Sequence, residues 1–161
     1  MTSKTNATQD DIRDFATHVF QQIPFNQLLG LEMVDCDREK ACLRFSMRQD
    51  LVGNRSQGIL HGGVSASVLD TVGGLAVMAS ILYQEDIRDR GSMVKRIRHL
   101  GTIDMRVDYL RPGWGEHFEA RASILRTGNR VAVVRMELCN EDEVMIAAGT
   151  ASYSIGVPKE V

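Results

Sequence analysis

The sequence predicts an α+β fold in which one curved antiparallel sheet wraps around a single long central helix, with an extra helix at the N-terminus. Three observations predict it: a long, largely apolar run from Val64 to Leu82, alternation of apolar and polar residues after Gly101, and a helical apolar period between Asp10 and Gln22. A helix that is apolar nearly all round must be covered on most sides, and a curved sheet does this with one layer. The 161 residues suffice for one core and leave little room for a second.

Taking the elements in order, residues 1–8 are polar and carry no period. Ile12, Phe15, Ala16, Val19 and Phe20 then recur at one face of an amphipathic helix, with Thr8 or Asp10 near its cap. Pro24 ends that helix or starts the next turn. The pieces Leu31–Asp37 and Ala41–Met47 read as a hairpin around Arg38-Glu39-Lys40. Gly53, Asn54, Ser56 and Gly58 mark a loop leading into the apolar helix. Inside that helix stands the pair Gly73-Gly74. Each mid-helix glycine costs about 1 kcal/mol relative to alanine, so the pair implies close approach of backbone or ligand, or else a break in the helix.

From Gln84 to Leu100 charge is dense and no period emerges. Beyond it, Ile103, Met105, Val107 and Tyr109 alternate with Thr102, Asp104, Arg106 and Asp108, a strand with two unlike faces. Pro112-Gly113 and Gly115 interrupt, and Phe118, Ala120, Ala122 and Ile124 resume the alternation. Turns at Thr127-Gly128-Asn129-Arg130 and Asn140-Glu141-Asp142-Glu143 separate Val131–Leu138 and Val144–Ile155, which completes an antiparallel meander of four strands. We divide the chain into an N-terminal segment with its amphipathic helix, 1–24, and a sheet-and-helix domain, 25–161.

Composition excludes several classes of function. Lys and Arg number 19 against 21 Asp and Glu, so no global basic field exists to hold nucleic acid or an anionic membrane. The apolar run falls just short of the about 20 residues that a span requires, and it contains Asp70, whose carboxylate costs roughly 2.5–3.5 kcal/mol in mid-bilayer. Neither a nucleic-acid nor a membrane partner is expected. Cys36, Cys42 and Cys139 are odd in number and widely spaced, which argues against a disulfide framework or a zinc knuckle and favours a reducing, cytoplasmic setting where they simply pack. The N-terminus lacks the apolar core of a secretory signal. No His/Cys/Asp/Glu group has metal-ligand spacing and no GxGxxG or Walker sequence occurs, so neither a metal nor another cofactor is expected.

The stretch that carries chemistry is Gly58-Ile59-Leu60-His61-Gly62-Gly63-Val64-Ser65-Ala66-Ser67-Val68-Leu69-Asp70. Its glycines open a helix, where amides lack intrahelical partners and the dipole is positive, so the Gly62 N–H suits an oxygen that gains charge. Asp70 lies in an apolar run, where a carboxylate needs partners or a task, such as activating water as a general base or attacking as a nucleophile. The bland reading is a buried acid satisfied by nearby donors. Gly62 and Asp70 lie eight residues apart, about 12 Å along one helix. Both must come within roughly 3 Å of one reacting group. A two-fold dimer could set Gly62 of one copy opposite Asp70 of the other.

Together with Gly101-Thr102-Ile103-Asp104 and Asp108-Tyr109-Leu110-Arg111-Pro112-Gly113, this stretch resembles the hotdog-fold acyl-CoA thioesterases of the PaaI type, and among them the YigI-like medium- and long-chain members. The likeness runs from about Phe25 to Gly156. It implies a hotdog fold, an acyl-CoA substrate cleaved to free CoA and a carboxylic acid, and sites built across the interface of a homodimer or dimer of dimers. It further implies that Thr102 helps to position water, that Asn54 lies near the thioester, and that His61 orients the glycine turn or contacts the thioester. The family's amide often stands six residues before the His, a place held here by Arg55. For His61 a plain helix-start role is the alternative, and for Thr102 a polar start to an edge strand. Gly63 is the second glycine at the substrate. For the coenzyme's phosphates the candidates are Arg126 and Arg130, and then Lys95, Arg96, Arg98 and His99, a group that also reads as a solvated face. Rival functions are a hotdog hydratase or dehydratase and a non-catalytic acyl-CoA-binding module.

Overall fold

The computed structural model describes residues 7–83 and 89–156. Helix α1 (Gln9–Gln22) starts where Thr8 and Asp11 form a reciprocal capping box, and it buries Ile12, Phe15, Ala16 and Phe20. Pro24 supplies a preset φ at the first turn of a short second helix, α2 (Pro24–Leu29), which Gly30 stops in a left-handed conformation at φ 67°.

Strands β1 (Glu32–Cys36) and β2 (Lys40–Ser46) form the expected hairpin. The Asp37 carboxylate accepts from the Glu39 and Lys40 amides to close it. A 3₁₀ turn at Gln49–Leu51 leads into a small hairpin, β3 (Val52–Asn54) and β4 (Ile59–Leu60), in the segment expected as a loop. The central helix α3 (Gly62–Tyr83) follows. Then come α4 (Arg90–Ile97), β5 (Gly101–Tyr109), β6 (His117–Thr127), β7 (Val131–Asn140) and β8 (Met145–Ser154).

The long strands make one antiparallel sheet of six in the order β1-β2-β6-β7-β8-β5. Its inner face, with Leu43, Phe45, Phe118, Ala120, Val134, Met136 and Leu138, closes on Val68, Leu69, Val72 and Ala76 of α3. Each large side chain so buried is worth about 1.5–3 kcal/mol. The helix is long and apolar enough to cross a membrane by length and composition, yet here it is the core, covered by the sheet and by α1.

Two local expectations need correction. The stretch with no period, Gln84 to Leu100, contains α4 among its described residues, because the Asp89 side chain caps the Ser92 amide and Met93 anchors the turn in the core. The strict alternation of β5 is broken by a bulge between Thr102 and Asp104. Thr102 thereby pairs with inward-facing Tyr153 and joins the side of Met105 and Val107, while Ile103 is left 57% exposed. The helix does not break at Gly73-Gly74. A Cβ at Gly73 would lie 2.3 Å from the Tyr153 hydroxyl, so close approach of a side chain is what the glycine permits.

Candidate active site

The N-terminus of α3 is built by His61. Its carbonyl accepts from the Val64 and Ser65 amides, and its Nδ1 accepts from the Gly63 N–H at 2.8 Å. The Gly62 N–H has no hydrogen-bond partner among the described residues, whereas the Gly62 carbonyl accepts from the Tyr109 hydroxyl at 3.1 Å. The small hairpin holds this end in place, since the His61 amide donates to the Leu51 carbonyl and a Cβ at Gly53 would lie 2.7 Å from the His61 Cα. On the far side the Leu60 amide donates to the Gly113 carbonyl. The Asn54 Oδ1 is taken by the amide and hydroxyl of Ser56, and Asn54 itself is exposed.

Two turns along, Asp70 is half-buried and lines an apolar cavity of about 370 Å³. Its Oδ1 accepts from the Thr102 hydroxyl at 2.8 Å and lies 3.1 Å from the Tyr153 hydroxyl, which also donates to the Asp70 carbonyl at 2.8 Å. Its Oδ2 accepts nothing from the described residues. The cavity continues from there along α3 past Gly74, Leu75 and Met78, between Phe20 and Phe25 on one flank and Ile97 and Leu100 on the other. Burial, and after it the neighbouring Asp70 charge, hold the Tyr153 phenol far above its ordinary range. It therefore stays a donor throughout the neutral range.

The structure thus brings together Asp70 and Thr102 of the expected residues, and it gathers His61, Gly62 and Gly63 separately at the helix end. Neither Gly62, His61 nor Asn54 lines the cavity at Asp70 within one chain. Arg126 lies at a bulge of β6 and Arg130 in the turn after it, both exposed and outside the cavity. Lys95 and Arg98 are exposed on or beside α4, while Arg96 donates to the Ile155 carbonyl at 2.8 Å.

Sequence reasoning passed over Tyr153 and gave Tyr109 no role. The available signal for Tyr153 was a lone large polar side chain among the small residues of Ala147–Ser154, facing a helix that carries a glycine pair. The cysteines carry no chemistry of their own: burial pushes the Cys36 thiol up to about 11 and, with the Glu119 charge, that of Cys42 up to about 12. Among the described residues no cluster of three or more His, Cys, Asp or Glu could hold a metal ion.

The sequence profile of the Thioesterase superfamily matches residues 57–147, the span that holds the helix end, Asp70, Thr102 and Tyr109. The chain belongs to the thioesterase superfamily. Within that superfamily it is similar to the medium/long-chain acyl-CoA thioesterase YigI of Escherichia coli (strain K12), 48% identical over 134 residues that cover 83% of this chain and 86% of the relative. A crystal structure from Shewanella oneidensis, described as related to the thioesterase superfamily, matches with a TM-score of 0.88 and 45% identity over 94% of this chain and 100% of that one. The PaaI protein of Escherichia coli, from the phenylacetic acid degradation operon, shares the fold at a TM-score of 0.76 and 18% identity, over 95% of this chain and 99% of that one.

Proposed function

We propose that this thioesterase hydrolyses medium- and long-chain acyl-CoA to free CoA and the carboxylic acid, with each site shared by two copies of the chain. The observation that carries the reading is the Asp70 carboxylate, held through Oδ1, with Oδ2 unclaimed by the described residues, at the edge of a cavity lined largely by apolar side chains. The 48% identity to YigI supports the same substrate class.

In this reading the acyl chain lies along Leu75 and Met78. Water bonds to the carbonyl carbon as its proton passes to Asp70, and the carbonyl oxygen becomes an oxyanion. The Gly62 N–H of the second copy, at the positive end of α3, stabilises that charge. Collapse of the intermediate breaks the C–S bond, and the proton held on Asp70 returns to the leaving thiolate. Thr102 orients the carboxylate and keeps lone pairs for the water. His61 and Gly63 hold the helix end, and Asn54, whose Oδ1 is engaged, has its Nδ2–H donors for the thioester region. Arg126 and Arg130 would meet the coenzyme's phosphates outside the cavity. Dimer formation is required because about 12 Å of helix separates Gly62 from Asp70. A cytoplasmic setting belongs to the same reading, supported by three free thiols.

The test is thiol release across acyl-CoAs of increasing chain length, with phenylacetyl-CoA and an enoyl-CoA in parallel. Cleavage that rises to an optimum among medium and long chains supports the reading. A folded protein that releases no CoA from any of them, or that hydrates the enoyl thioester instead, would overturn it.

A further inference from the structure

We infer that Tyr153 is a positioning residue for Asp70: its hydroxyl clamps the main-chain carbonyl and the carboxylate of that residue together and so orients the carboxylate for its work on water. The inference rests on the reading of Asp70 given above.

Two neighbouring strands deliver two hydroxyls to one oxygen. Thr102 of β5 and Tyr153 of β8 are register partners, and both reach Asp70 Oδ1, at 2.8 and 3.1 Å. The single proton of Tyr153 is shared between Oδ1 and the Asp70 carbonyl, 2.8 Å away. Contact with both ends of one residue limits the rotation that separates them, which a partner on the carboxylate alone does not do. Tyr153 as a whole is 2% exposed, so its side chain is held by the core at the edge of the cavity. Space for it is made in α3: a side chain at Gly73 would stand 2.3 Å from the hydroxyl and 2.6 Å from Met136 Sδ. A mid-helix glycine is costly, and at Gly73 that cost makes room for the hydroxyl. The contrast with Gly74 is instructive, because a Cβ there meets Tyr153 only at an ordinary 3.7 Å.

Filling the core would need only the ring. A hydroxyl that donates to the ionised carboxylate also favours its charged form, and that effect has its own readout. Tyr153→Phe keeps the ring and removes the donor. The acid limb of kcat/KM against pH should move up, and plateau kcat should fall roughly tenfold. Asp70→Asn runs alongside and should lose roughly 10²- to 10⁴-fold. An Asp70→Asn protein with near wild-type turnover would remove the underlying reading and this inference with it. An inactive Asp70→Asn beside a Tyr153→Phe whose acid limb and plateau are unchanged, whatever its melting temperature, leaves the reading standing and overturns the inference. Should Tyr153→Phe not fold, Tyr153→3-fluorotyrosine is the second variant: its more acidic phenol donates more strongly and should shift the acid limb down, and an unmoved limb counts against the clamp.

Discussion

His61 Nδ1 accepts the Gly63 N–H at 2.8 Å, and with Val64 and Ser65 donating to the His61 carbonyl, Gly62 is left as the unpartnered amide of the first turn of α3 among the described residues. His61 thus partners two of the four orphan donors of this helix end, the Gly63 and Val64 amides, its own amide is taken by the Leu51 carbonyl, and Gly62 alone is reserved. His61→Ala should therefore cost about 1 kcal/mol of stability, as loss of a cap does, and about tenfold in turnover as the helix end loosens. His61→Asn, a good cap, should restore most of both. Thermal melts and thiol release on the same preparations check this. Full turnover in His61→Ala would detach the cap from the chemistry.

The separation of Gly62 from Asp70 gives a second expectation. Co-purified heterodimers of Asp70→Asn and Gly62→Pro chains should regain one working site of two, near half of wild-type activity, while each homodimer of a single variant stays inactive. Proline removes the N–H in question, and at a helix start it is otherwise tolerated. Folded heterodimers with no activity would refute shared sites.

Met78 lies two turns beyond Asp70 along the cavity. Met78→Trp should shorten the cavity and cut kcat/KM for the longest accepted chain by roughly 10- to 100-fold, with little change for short chains, since each displaced methylene is worth about 1–3 kcal/mol. Met78→Ala should shift the preference towards longer chains. A chain-length profile unchanged in both variants would mean that the acyl group lies elsewhere.

On the outer face of the sheet, Arg121 donates to both oxygens of Glu143 at 2.7 Å and to Glu119 at 2.7 Å. The hydrogen bonds from Arg121 hold the Glu143 carboxyl below its ordinary value of 4.5. A carboxyl depressed by folding adds stability that is present above pH 4.5 and is lost as the pH falls below it. Arg121→Met should flatten the decline of melting temperature between pH 5 and 3 and leave kcat unchanged. Parallel slopes in variant and wild type would show that the pair contributes nothing measurable, as many exposed pairs do.

The sequence by itself determined the elements whose apolar period is long. Alternation announced the meander, a helical stripe announced α1, and the run from Val64 to Leu82 announced a helix that a sheet must cover, because burial of one face or of all faces leaves a period that can be read locally. It also marked Asp70 and the glycine turn, since a carboxylate in an apolar run and paired glycines at a helix start are costly choices. What it could not determine was phase and partnership across the sheet. By alternation Thr102 belongs with Asp104 on the outer side. Only the bulge between them, imposed by pairing with β8, turns its hydroxyl inward to Asp70. The contact of Tyr153 with Asp70 spans 83 positions of chain and follows from strand order, which no local period encodes. Helix α4 escaped notice because a single core anchor, Met93, and a cap at Asp89 hold a segment whose remaining residues are mostly charged, exposed or half-buried. The cavity at Asp70 is likewise a product of packing, for its walls come from α1, α2, α3, α4, β5 and β8, elements brought together only when the sheet closes on the central helix.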